Sequence, residues 1–148
     1  MTAAALRDKV AAKVRNMASV DQVYGNGSTD ATAPVPGEVL EYGISAIVWR
    51  GSTTHEGGNL SGQLIDRIFE VEFVLSGRDK GEAERWVDKL DDELLTEFST
   101  GITLGGSARD TWYTGSDRPV ENTEGDLAYY SWLARVTVRE RNATEVTA

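Results

Sequence analysis

The sequence has no cysteine, which excludes a disulfide framework and any cysteine-based zinc site. It has one histidine, His55, so little imidazole chemistry is on offer. No apolar run approaches the length that spans a bilayer. Met1 to Asn16 alternates charge with alanine and lacks the apolar block of a signal peptide, so the protein is expected to be intracellular when made. Lysine is scarce, limited to Lys9, Lys13, Lys80 and Lys89. The net charge is -9 and the pI about 4.6. Phosphate binding needs a basic patch, so free nucleic acid is excluded as a tight partner.

What is present describes a folded domain. The 148 residues are 40% hydrophobic and 26% charged. A chain of that length buries roughly 70% of its unfolded surface, enough for a core without staples. The expected organisation is a single domain over 1–148. Within it, mobile loops are expected at 25–37 and 51–62 and a frayed tail at 143–148, from their glycine and polar content.

The strongest pattern runs from Ile65 to Phe98. Phe69, Val71, Phe73 and Leu75 alternate with Ile68, Glu70, Glu72 and Val74. Alternate strand residues point to opposite faces, so this is a half-buried strand. Ser76-Gly77-Arg78 turns the chain, and Asp79 with Glu82 three residues on predicts a capped helix. Ala83, Trp86, Val87, Leu90, Leu94 and Phe98 form its apolar stripe. Strand face and helix stripe are two halves of one core.

The rest follows in order. Leu6, Val10, Val14 and Met17 predict a first helix over 2–18. Strands are expected near Ser19–Tyr24, over Leu40–Arg50, at Ile102–Leu104 as a short one, and at Arg109–Thr114. Gly115 to Gly125 reads as a loop. In the last strand Ala128, Tyr130, Trp132, Ala134, Val136 and Val138 face one way. Tyr129, Ser131, Leu133, Arg135, Thr137 and Arg139 face the other. If the two strongest strands are neighbours, Arg135 and Arg139 share a face with Glu70 and Glu72 and form a ladder of opposite charges. The expected class is α+β: a mainly antiparallel sheet with two helices packed on one face.

Catalytic patterns come out empty. His55 with Ser61 and Asp66 has no nucleophile-elbow order and reads as a loop histidine. Asp88, Asp91 and Asp92 share a convex helix surface, a poor cage for a hard cation. Gly105-Gly106-Ser107 lacks the lysine and helix start of a phosphate loop. No metal, cofactor or enzymatic activity is expected. Trp49 and Trp112, expected at strand ends beside polar loops, are candidate subunit-interface residues.

The order of elements resembles the small tail terminator (tail completion) proteins of long-tailed phages and related archaeal viruses. It is carried by the helix Leu6 to Met17, the strand Ala46-Ile47-Val48-Trp49 and its glycine-rich loop. The strand Arg67-Ile68-Phe69-Glu70-Val71-Glu72-Phe73 with the Trp86-to-Phe98 helix follows, then the final Tyr129-Tyr130-Ser131-Trp132 to Arg139-Glu140-Arg141 strand. The resemblance implies a ring, a hexamer, at the head-proximal end of the tail tube of a virion assembled in the host cytoplasm. Its partners would be other copies of itself, the tail tube protein and the head connector or stopper, with no membrane partner. DNA would pass through the lumen without specific binding, and the face bearing Glu70, Glu72, Arg135 and Arg139 would be the channel wall. Other neck or tube components share this design. A small ligand-binding regulatory domain is the alternative from another class.

Overall fold

Thr2 starts the first helix. Its side chain accepts a hydrogen bond from the Ala5 amide at 3.1 Å, and α1 runs Ala3–Arg15. The structure is a computed structural model that describes residues 2–24, 43–56, 63–76, 79–99, 104, 108–124 and 127–142. After α1 come β1 (Gln22–Tyr24), β2 (Ile44–Glu56) and β3 (Gln63–Ser76). Then follow α2 (Lys80–Glu97), β4 (Asp110–Ser116), β5 (Val120–Glu124) and β6 (Leu127–Asn142). Asp79 caps α2, accepting the Glu82 amide at 2.9 Å. That amide holds the Asp79 carboxyl below its ordinary range.

The strands form one sheet in the order β1-β2-β3-β6-β4, with β5 also paired to β6. Only β1 and β2 are parallel, and the remaining pairs are antiparallel. Since β3 occupies one edge of β6, β4 and β5 follow each other along its opposite edge. The expected α+β class with a mainly antiparallel sheet is therefore present.

Both helices lie on one sheet face and share one core. Leu6, Val10, Val14, Leu90, Leu94 and Phe98 meet Phe69, Val71, Phe73, Leu75, Trp132, Val136 and Val138. The Phe73 and Trp132 rings are 5.4 Å apart at an interplanar angle of 31°. Full burial of side chains this large stabilises by about 1.5–3 kcal/mol each. The Trp132 indole N–H is satisfied inside, donating to the Asp117 carbonyl at 2.8 Å. Trp86, expected within the core, is only half-buried against its rim, with Lys89 4.9 Å from its ring centre.

Several boundaries differ from the sequence expectations. Residues 51–56 are strand, not loop, and His55 is a strand residue opposite Ile65. Pairing with β3 resumes from Thr53 to Glu56 after a bulge, where the register shifts between Arg50 and Thr53. Gly51 marks close backbone approach here, since a Cβ on it would lie 2.5 Å from the Ile68 carbonyl oxygen. Val120–Glu124 is likewise strand, because pairing with β6 supplies the order its polar side chains do not. Leu104 lies in a turn with φ 52°, not in a strand. The expected loop at 25–37, the remainder of 51–62 and the tail at 143–148 lie outside the described residues.

Candidate interaction surface

The face of the sheet opposite the helices carries polar side chains in register. Arg135 stands directly opposite Glu70 across the β3–β6 pair, at 3.6 Å. Asp117, just after β4, clamps the same guanidinium from the other side, at 3.0 and 3.1 Å. Arg135 holds the Asp117 carboxyl below its ordinary range, and Asp117 raises Arg135 in turn. Further along, Arg139 grips Asp66 with two bonds of 2.8 Å. The Arg139 guanidinium also lies 5.4 Å from the centre of the Trp112 ring. Glu72 accepts the Trp49 indole N–H at 3.0 Å.

Each exposed ion pair is worth only about 0–1 kcal/mol, and a cation–π contact about 0.5–1 kcal/mol. Bidentate geometry adds orientation more than energy. The ladder therefore fixes side-chain directions on an open face. Asp66, Glu70, Glu72 and Asp117 outnumber Arg135 and Arg139 there, so this surface is acidic overall.

The sequence-predicted channel residues Glu70, Glu72, Arg135 and Arg139 thus share one face. Arg135 meets Glu70 as expected, but Arg139 takes Asp66 and Glu72 takes Trp49. Asp66 has the same parity as Ile68, Glu70 and Glu72, so extending the alternation two residues would have found it. Asp117 had no such signal, because it lies between strands. The candidate interface residues are not at strand ends. Trp49 lies within β2, exposed to 38%, and Trp112 is half-buried within β4 beneath Arg139.

The other predicted groups do not converge. Asp66 is engaged by Arg139, and Ser61 lies outside the described residues. Asp91 accepts the Tyr113 hydroxyl at 2.7 Å, tying α2 to β4. Burial pushes the Tyr113 hydroxyl up to about 12; Ser116 offsets part of this and the Asp91 carboxylate adds to it. Among the described residues no group of three or more His, Cys, Asp or Glu side chains could hold a metal ion. Among them, too, no helix is long and apolar enough to cross a membrane.

A second, ion-paired patch lies on the helix-side face beyond the helices. Arg67 meets Glu140 at 2.9 Å, and Glu140 is buried. A recess of about 330 Å³ separates the end of α1 from α2 beside Met17, Lys89, Asp92 and Glu97. Its neighbour Glu93 is already bound by the Ser19 amide, at 2.8 Å, and by the Ser19 hydroxyl.

Strand edges complete the surface. β1 covers β2 only from Ser45 to Ile47. Among the described residues, no strand pairs with the outer edge of β2 from Trp49 to Glu56. The outer edge of β4, at the opposite side of the sheet, is likewise open among them. No protein-family model and no curated protein matches this chain.

Proposed function

We propose that this protein is a structural subunit of a viral tail: a tail terminator that closes into a ring of six at the head-proximal end of the tail tube. In that role it stops tube growth and presents a surface to the head connector. The observation that carries the reading is the pair of strand edges, on opposite sides of one sheet, that are open among the described residues. Such edges are templates for pairing with another chain. Where one edge of a molecule meets the other, unlike edge of the next copy, the contact is head to tail, and a closing rotation yields a ring. The top and bottom of such a ring are unlike, so a cap can bind the tube below without recruiting another ring above. The resemblance in element order supplies the virion setting and the number six.

In this reading the helix-free face lines the channel. Its carboxylates exceed its arginines, and the arginines are held by carboxylates. Little attraction for phosphate is left, so DNA slides past. The test is the mass of the purified protein in solution together with electron microscopy of rings and virions. A stable closed oligomer and a matching ring at the tail–head junction are expected. A monomer at all concentrations, with no ring at that junction, overturns the assignment. For the lumen, Glu70→Lys with Glu72→Lys should slow DNA ejection while rings stay intact. Unchanged ejection removes the channel assignment alone.

A further inference from the structure

The helix layer has two unlike flanks. α1 packs over β1, β2 and β3, and α2 packs toward β6. Lys13 and Glu97 join the facing sides of the helices, at 3.6 Å. The outer side of α1 therefore looks toward the β2 edge, and the outer side of α2 looks toward β4, where Asp91 meets Tyr113.

At the first flank, Ala3, Ala4, Arg7, Arg50 and Phe69 enclose a cavity of about 160 Å³. Its lining is mostly apolar and includes the two arginines Arg7 and Arg50. The Arg7 Nε is sealed from solvent and has no hydrogen-bond partner among the described residues. α1 has no acidic residue in its first turn, so the positive end of its dipole lies on this side, and Asp8 is the nearest carboxylate in the helix. The cavity matches the space one leucine side chain leaves in a protein interior, about 150 Å³.

At the opposite flank, Glu84, Asp88, Asp91 and Leu95 follow one another at helical spacing on α2. Leu95 is 54% exposed, one of few large apolar side chains so placed among the described residues. Asp88 and Glu84 are exposed about 10 and 16 Å back along the same helix side. This stripe presents an aliphatic tip with carboxylates along the same helix side. Its chemistry is the complement of the cavity across the molecule.

We infer that the acidic Glu84–Leu95 stripe of one copy docks into the Arg7–Arg50 cavity of the next. Leu95 fills the apolar part, and the carboxylates meet the guanidinium groups. The two patches lie on opposite flanks, so they cannot satisfy each other within one chain. The contact is heterologous and repeats around a ring. This inference rests on the ring reading and names the contact that would hold the ring together.

The test uses the full chain and exposed positions. Arg50→Glu damages the cavity, and Asp88→Lys with Leu95→Asp damages the stripe. Each variant should keep its circular dichroism spectrum and need about tenfold or more concentration to assemble. Mixed together, they should form a one-to-one dimer and stop, because each keeps only one intact surface. If either variant misfolds, Arg50→Ala and Leu95→Ala replace them, with weaker assembly still expected. Rings as stable as wild type from both variants overturn this contact while leaving the ring reading in place. Self-paired dimers of a single variant also overturn it, since they require a symmetric contact. A wild-type monomer at all concentrations removes both readings together.

Discussion

Replacing Gly51 by alanine tests how the long β2–β3 hairpin is built. The added Cβ would lie 2.5 Å from the Ile68 carbonyl oxygen and 3.2 Å from its carbon. Those atoms belong to the backbone of β3, so no side-chain rotation relieves the clash. Restoring even a tight contact needs about 0.5 Å of strand displacement in a close-packed sheet. Overpacking of this kind costs about 1–3 kcal/mol. For a domain of this size, 2 kcal/mol lowers Tm by about 4–8 °C. Urea denaturation gives the global cost. Hydrogen exchange gives its location: amides of 53–56 and 65–67 should lose more protection than those of 44–48, which lie on the far side of the bulge. Gly115→Ala is the control, because a Cβ there meets nothing within 4 Å. It should stay within about 0.5 kcal/mol of wild type. If Gly51→Ala is equally neutral, the close approach does not constrain the hairpin and the account of the bulge fails.

Phe73→Ala removes a fully buried ring from its contact with Trp132 and should cost about 3–5 kcal/mol in urea denaturation; a loss under about 1 kcal/mol would show that the core closes around the gap. Tyr113 holds its proton up to about 12 in the folded protein, against 10 ordinarily, so the unfolded chain ionises first and stability falls as pH rises from 10 toward 12. Tyr113→Phe should flatten that fall, and denaturation midpoints measured at pH 9, 10.5 and 11.5 with the same slope in both proteins would refute it.

The core was legible because its signals are local and periodic. The alternation from Phe69 to Leu75, the Ala83–Phe98 stripe and the Asp79 cap each follow from a few neighbouring residues. The last strand was legible for the same reason, and with it the face shared by Glu70, Glu72, Arg135 and Arg139. Gly51 misled because a glycine that permits close strand approach looks, in sequence, like one that permits a turn. Val120–Glu124 has no apolar alternation, and its strand character comes from the neighbouring β6. The partners of the ladder were only half legible: parity gives the face, but register decides that Arg139 meets Asp66. The Arg7–Arg50 cavity had no sequence signal at all, since helix packing alone brings those residues together.

β6 pairs with β3 on one side and with β4 and β5 on the other, and it follows all of them in the chain. During synthesis, therefore, β3 leaves the ribosome with one long edge unpaired, and β4 and β5 leave with no sheet to join. Trp132, which closes the core against Phe73, arrives later still. The nascent chain can form the β2–β3 hairpin and the helices early, but the sheet is completed only by its final strand. The edge of β3 that waits for β6 is the kind that also pairs with strangers. A polypeptide interrupted before β6 would thus be an aggregation-prone fragment.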